Sequence, residues 1–154
     1  RLHALAAAHT PLQHAVDQII THLHAEAASI FLLDDARRAL VCRKCAGPVD
    51  ITGLRLQPDE GIVGESVRTG RVQIVRDVSQ NESFAAGVDE GTGFVTRSLL
   101  CAPLTVRGET IGALELINKR SGDGLFAGAD VHLATTVAAA AALAIHNARM
   151  AEAL

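Results

Sequence analysis

The apolar positions change period twice along the chain. Between Leu2 and His24, Leu5, Leu12, Val16, Ile19 and Leu23 recur at spacings of seven, four, three and four. That spacing keeps them on one face of an amphipathic helix. The same stripe suits the seam of a coiled coil or a parallel four-helix bundle. Pro11 lacks the amide donor of the helix ladder, so it is expected to bend or restart this helix. From Ala28 to Leu125 the pattern becomes short apolar runs between turn residues. Ser29 to Leu33 closes on Asp34 and Asp35, and Leu40 to Cys45 follows, which predicts a hairpin. Leu54 to Leu56 alternates before Pro58. Gly61 to Arg68 reads as a short helix, opened by the charges of Asp59 and Glu60 and closed at Gly70.

Val72 to Val75 is the next strand. The polar, glycine-bearing stretch from Asp77 to Gly93 is about 17 residues long, a length typical of a lid or binding loop. Ser98 to Thr105 and Thr110 to Ile117 flank the turn at Val106 to Glu109 and form the clearest hairpin in the chain. Pro103 inside it needs an edge or a bulge, where no ladder hydrogen bond is donated. From Ala127 to Leu154 the helical period returns, with Leu133, Val137, Ala140, Ala141, Ala144 and Ile145 on a narrow face. Consecutive hairpins between two terminal helices predict an α+β fold: an antiparallel sheet with both helices on one side. No second domain and no internal repeat is visible.

Composition narrows the function. At 154 residues the chain has the size of one domain. With 49% hydrophobic and 20% charged residues it has the balance of a packed core rather than of disorder. No uninterrupted run of about 18 apolar residues argues for a membrane span. The chain opens on Arg1 with no secretory leader, so it is expected to be a piece of a longer cytoplasmic protein. A net charge of −3 and an aromatic set of four phenylalanines give neither a basic groove nor stacking platforms. Nucleic acid is therefore not an expected partner.

Chemistry-bearing residues are sparse. Cys42 and Cys45 form a CxxC, which raises a redox pair or half a zinc site. On a regular strand, residues three apart point to opposite faces, so the expectation is structural thiols, with redox or metal chemistry as the alternative. Cys101 lies in an apolar strand, and three thiols without a leader fit a reducing compartment. All seven histidines (His3, His9, His14, His22, His24, His132 and His146) fall in the terminal helices, away from sheet and loop. Gly61, Gly64 and Gly70 lack the spacing of a phosphate-binding loop and read as turn and packing residues.

Two strings carry a family resemblance. Val88-Asp-Glu-Gly-Thr-Gly-Phe-Val-Thr-Arg-Ser-Leu-Leu-Cys-Ala-Pro-Leu104 and Ile111-Gly-Ala-Leu-Glu-Leu-Ile-Asn-Lys119 resemble the GAF domains of cyclic-nucleotide phosphodiesterases and bacterial adenylyl cyclases. Ser29 to Asp34, Gly61 to Gly64 and Thr69-Gly70 fall in matching order upstream, and the likeness runs from about Ala25 to Ala144. The resemblance implies a GAF-like (profilin-like) six-stranded antiparallel sheet, terminal helices on one face and a ligand cavity on the other. It implies residues 1–24 as a dimer or linker helix, 25–126 as sheet and pocket, and 127–154 as a helix leading to an output domain.

It also implies a non-catalytic sensor of a small molecule, with cAMP or cGMP first, acting as a homodimer through its terminal helices. Ser29, Val63, Thr92, Thr96 and Glu115 fall at ligand-lining positions, with hydroxyls for phosphate, ribose or base and Glu115 as an acceptor for an exocyclic amine. Asn118, Lys119, Phe126 and Asp130 match a structural signature in which the Lys–Asp pair fastens the lid side of the pocket. Val131 stands where that signature has Glu. Cys45-Ala46 stands where nucleotide-binding members carry Phe-Asp, and Ala46 supplies neither stacking nor a hydrogen bond. Two other readings are carried along. One is a ligand-free dimerisation and relay module; the other is a redox enzyme of the free-methionine-sulfoxide reductase kind, resting on Cys42, Cys45 and Cys101.

Overall fold

The computed structural model describes residues 2–78, 87, 91–93 and 95–153, and side chains from Ala8 onward. The elements in chain order are helix α1 (Leu2–Leu23), strands β1 (Ala25–Leu33), β2 (Leu40–Ala46) and β3 (Arg55–Leu56), helix α2 (Gly61–Thr69), strands β4 (Gln73–Val75), β5 (Leu99–Val106) and β6 (Glu109–Lys119), and helix α3 (Gly128–Ala153). The strands form one antiparallel sheet in the order β3-β2-β1-β6-β5-β4. Most of the 77–93 loop lies outside the described residues, as does Phe94.

Strand parity divides the interior in two. Ala28, Ile30 and Leu32 of β1, Leu100, Ala102 and Leu104 of β5, and Leu114 and Leu116 of β6 face the helices. There they pack against Leu12, Val16, Ile19 and Leu23 of α1 and Ala134, Ala138, Ala142 and Ile145 of α3. Phe31, Leu33, Leu99, Cys101 and Ala113 point the other way, onto α2, Leu40, Cys42 and Leu56. The period of two along each strand creates this division.

Pro11 does not interrupt α1, which runs on through it; the cost is the single ladder bond its missing N–H would have made. His24 takes a left-handed conformation at φ 53° and turns the chain straight from α1 into β1. β5 and β6 join through Arg107 and Gly108, both at positive φ (54° and 76°), which is the twist a two-residue hairpin demands. Pro103 sits in β5 opposite Ala113 but beyond the last rung to β4 at Cys101, so its missing donor faces an unpaired side. Gly112 is fixed by β1: a Cβ there would lie 2.0 Å from the Phe31 carbonyl oxygen.

By length and mean hydropathy alone, α3 is apolar enough to cross a membrane, although its unbroken apolar run, Val137 to Ile145, falls well short of the roughly 18 residues a span needs. The same alanines let it lie close on β5 and α1, with Ala134, Ala138, Ala141, Ala142 and Ile145 buried.

Candidate ligand cavity on the face opposite the helices

Four strands lay one side chain each across the sheet face away from the helices. The register places Cys45 of β2 beside Ser29 of β1, Ser29 beside Glu115 of β6, and Glu115 beside Cys101 of β5. Above this row opens a cleft whose space, open solvent at its mouth included, is about 750 Å³. Ser29, Val63, Thr92, Thr96 and Glu115 all line it, so every ligand position implied by the resemblance converges on one space. Phe31, Ile51, Leu54, Leu56 and Ile62 complete an apolar wall, and Glu60 and Gly61 bring the first turn of α2 to the rim. Ser29 and Thr96 are buried, and Thr92 is half-buried.

Asn118 fixes one side of this space. It sits at φ 57°, a left-handed conformation that asparagine tolerates better than most residues. Its Oδ1 accepts the N–H groups of Arg97 (2.7 Å) and Ser98 (3.1 Å). Its Nδ2 donates to the Val95 carbonyl and to Glu26 Oε1, each at 2.8 Å. All four side-chain bonds are made, and three of them hold the segment on which Thr96 stands.

The lysine of the signature does something else. Lys119 Nζ meets Asp130 Oδ1 at 2.7 Å, donates to the Leu23 carbonyl at 3.3 Å and lies 5.9 Å from the Phe126 ring centroid. Asp130 Oδ2 accepts the Ala127 N–H at 2.8 Å, which caps α3. This ion pair therefore ties the end of α1, β6 and the start of α3 together on the helix side, instead of fastening the lid. Asn118 instead holds the 95–98 segment beside the cavity. Val131, where the signature has Glu, is half-buried against the helix-side core.

The cysteines require a second correction. A register shift in the β1–β2 pairing places Ile30 opposite Lys44 but Phe31 opposite Cys42, leaving Arg43 as an extra residue. This bulge restores Cys42 to the same face as Cys45, overturning the expectation of opposite faces, and the Cys42 thiol donates to the Lys44 carbonyl at 3.5 Å. Burial, with the neighbouring Cys45 and Glu115, pushes the Cys42 thiol far above its ordinary range. Burial and Glu115 push Cys101 up too, against a Ser66 hydrogen bond that lowers it. Both are held protonated. Cys45 is half-buried on the cavity wall, 3.4 Å from Asp50 Oδ1 and 3.4 Å from Thr52 Oγ1. Among the described residues no three His, Cys, Asp or Glu side chains gather as a metal site.

The same register explains Ala46. It pairs with Ala28 and packs against the helix-side core while also bordering the cavity. Sequence reasoning missed Glu26, Glu60, Val49 and Ile51. The apolar spacing Val49, Ile51, Leu54, Leu56 was the available signal for the last two.

Residues 8–146 match the GAF domain family. This chain is a GAF domain. Over 137 residues it is 30% identical to the probable 3',5'-cyclic phosphodiesterase pde-5 of Caenorhabditis elegans, covering 82% of this chain but 18% of that protein. The chain thus spans under a fifth of that relative's length. The GAF domain of an Acinetobacter phosphoenolpyruvate-protein phosphotransferase superposes with a TM-score of 0.80 at 23% identity, over 94% of this chain and 85% of that one. A type II free methionine-R-sulfoxide reductase from Thermoplasma acidophilum gives 0.79 at 17% identity, over 94% and 96%. At those identities the likeness is one of fold, and GAF folds serve both sensors and enzymes.

Proposed function

We propose that this domain is a non-catalytic sensor whose cavity takes a small molecule and whose terminal helices pass the event, in a homodimer, to an output domain of a longer cytoplasmic chain. The observation that carries this reading is the convergence of Ser29, Val63, Thr92, Thr96 and Glu115 on one cavity. The cavity wall is largely apolar with a few directed polar groups, the usual make-up of a small-molecule site. Ligand bound at Thr92 and Thr96 pulls on Asn118 at the end of β6, one residue from the Lys119–Asp130 clamp on the helices. Such a ligand shifts the helices only by its differential affinity for their two arrangements.

Kinship with a phosphodiesterase makes cAMP and cGMP the first compounds to titrate. Ser29 and Glu115 suit the amine edge of a base, whereas β2 offers neither an aromatic ring nor Asp to hold a purine. Calorimetric titration decides: saturable micromolar heat, weakened by Thr96→Ala and Glu115→Ala, supports a nucleotide sensor. Affinity unchanged in both variants sinks this site.

An enzymatic reading, with the thiols as reductant, is disfavoured by the upward shift of Cys42 and Cys101, because the thiolate is the nucleophile. A ligand-free relay module is the remaining alternative, and absence of binding by any small molecule, together with a concentration-dependent dimer, would establish it.

A further inference from the structure

Among the described residues, the charged side chains on the cavity wall are of one sign. Glu60 and Glu115 line it, and among the described residues no arginine, lysine or histidine does. Four basic side chains pair with carboxylates outside the cavity wall: Arg97 and Arg120 lie 3.8 and 3.9 Å from Glu26, Arg55 lies 3.3 Å from Asp34, and Lys119 holds Asp130. The first turn of α2, which would otherwise attract an anion, has Glu60 at its cap, with Oε1 accepting the Gln57 N–H at 3.0 Å. Glu115 acts on both buried thiols, Cys42 and Cys101, from the cavity floor.

We infer that the cavity selects organic cations: a planar, donor-rich nitrogen group (amidinium, guanidinium or protonated amino-heterocycle) that meets Glu115 and Ser29, on an apolar body held by Ile51, Leu54, Leu56 and Val63. This inference rests on the sensing reading and names the ligand class of the same cavity. A planar cation places two N–H donors on one carboxylate, the stronger kind of hydrogen bond. Partial withdrawal from water strengthens that attraction. The same carboxylates repel an anion, which is discrimination by an unfavourable contact. The prediction is opposed to that from kinship on one point, the phosphate of a cyclic nucleotide.

Three probes of one shape separate the charges: benzamidinium, benzamide and benzoate, titrated into the ¹⁵N-labelled chain at constant ionic strength. The expected order of affinity is cation, neutral, anion, with about tenfold or more between the first and last. In Glu115→Gln the advantage of cation over neutral falls to within about twofold. In the unmutated chain, added salt narrows the order, a readout independent of how the variant folds. Benzoate binding as tightly as benzamidinium, or an order insensitive to both Glu115→Gln and salt, overturns the inference. Saturation by cAMP or cGMP with none of the three probes bound overturns it and leaves the sensing reading standing. No binding by any of the five compounds overturns both.

Discussion

The two faces of the sheet are built from the same strands and do different work. Toward α1 and α3, the inward positions Ala28, Ile30 and Leu32 of β1, Leu100, Ala102 and Leu104 of β5, and Leu114 and Leu116 of β6 are small or aliphatic and buried. Toward the cavity, the same strands present Ser29, Glu115 and Cys101 beside Phe31 and Leu99. Burial of apolar area stabilises a fold, and polar groups on a half-open face offer directed contacts to a ligand. Stability is thus concentrated on one face and chemistry on the other. At the end of β6, where the faces meet, Asn118 serves the cavity side and Lys119 the helix side.

Substitutions of different size test this division. Leu100→Ala, on the helix face, is expected to cost about 4 kcal/mol in denaturant unfolding. Leu54→Ala, on the half-buried cavity wall, should cost about 1 kcal/mol; equal losses would erase the distinction between faces. Asn118→Ala should cost about 3 kcal/mol, because it strips partners from the Arg97 and Ser98 N–H groups and removes a residue suited to positive φ. It should also weaken whatever binds at Thr96. Thr96→Ala and Ser29→Ala are expected to stay within about 1 kcal/mol of the parent while weakening ligand roughly threefold to tenfold.

The thiols give the smallest effect, and its sign is fixed. Cys42 and Cys101 bind their protons more tightly folded than unfolded, so above the ordinary thiol range the unfolded chain loses protons first and stability falls as pH rises. Cys42→Ala should flatten that alkaline decline. Asp34 and Asp50 act oppositely. Backbone N–H groups of Arg38 and Thr52 hold their carboxyls below the usual range, so their contribution is lost as pH falls through acid values. Alkylation by iodoacetamide should reach Cys45 well before Cys42 or Cys101, which mass mapping reads directly.

Much of this was legible in the sequence. The four-three-four stripe from Leu12 to Leu23 gave the buried face of α1, Leu5 lying outside the described side chains, and alternation in Ser98–Thr105 and Thr110–Ile117 gave β5 and β6 within a residue or two. The family likeness placed Ser29, Val63, Thr92, Thr96 and Glu115 in one space, which spacing alone did not. What was not legible depended on departures from regular period. A one-residue bulge at Arg43 reverses every side chain beyond it on β2, so the CxxC argument, sound for a regular strand, gave the wrong face. The separate duties of Asn118 and Lys119, adjacent in sequence, follow from the positive φ of Asn118, a backbone property that a pattern of residue types does not encode.

The central claim is that ligand belongs to the cavity face. Amide chemical shifts, followed while cyclic nucleotides and the benzamidine series are titrated, test it most directly. The account predicts saturable changes centred on Ser29, Thr96, Glu115 and Ile117, with Leu100, Leu104 and Leu114 moving little. Changes centred on the helix-side residues, or none with any compound, would contradict it.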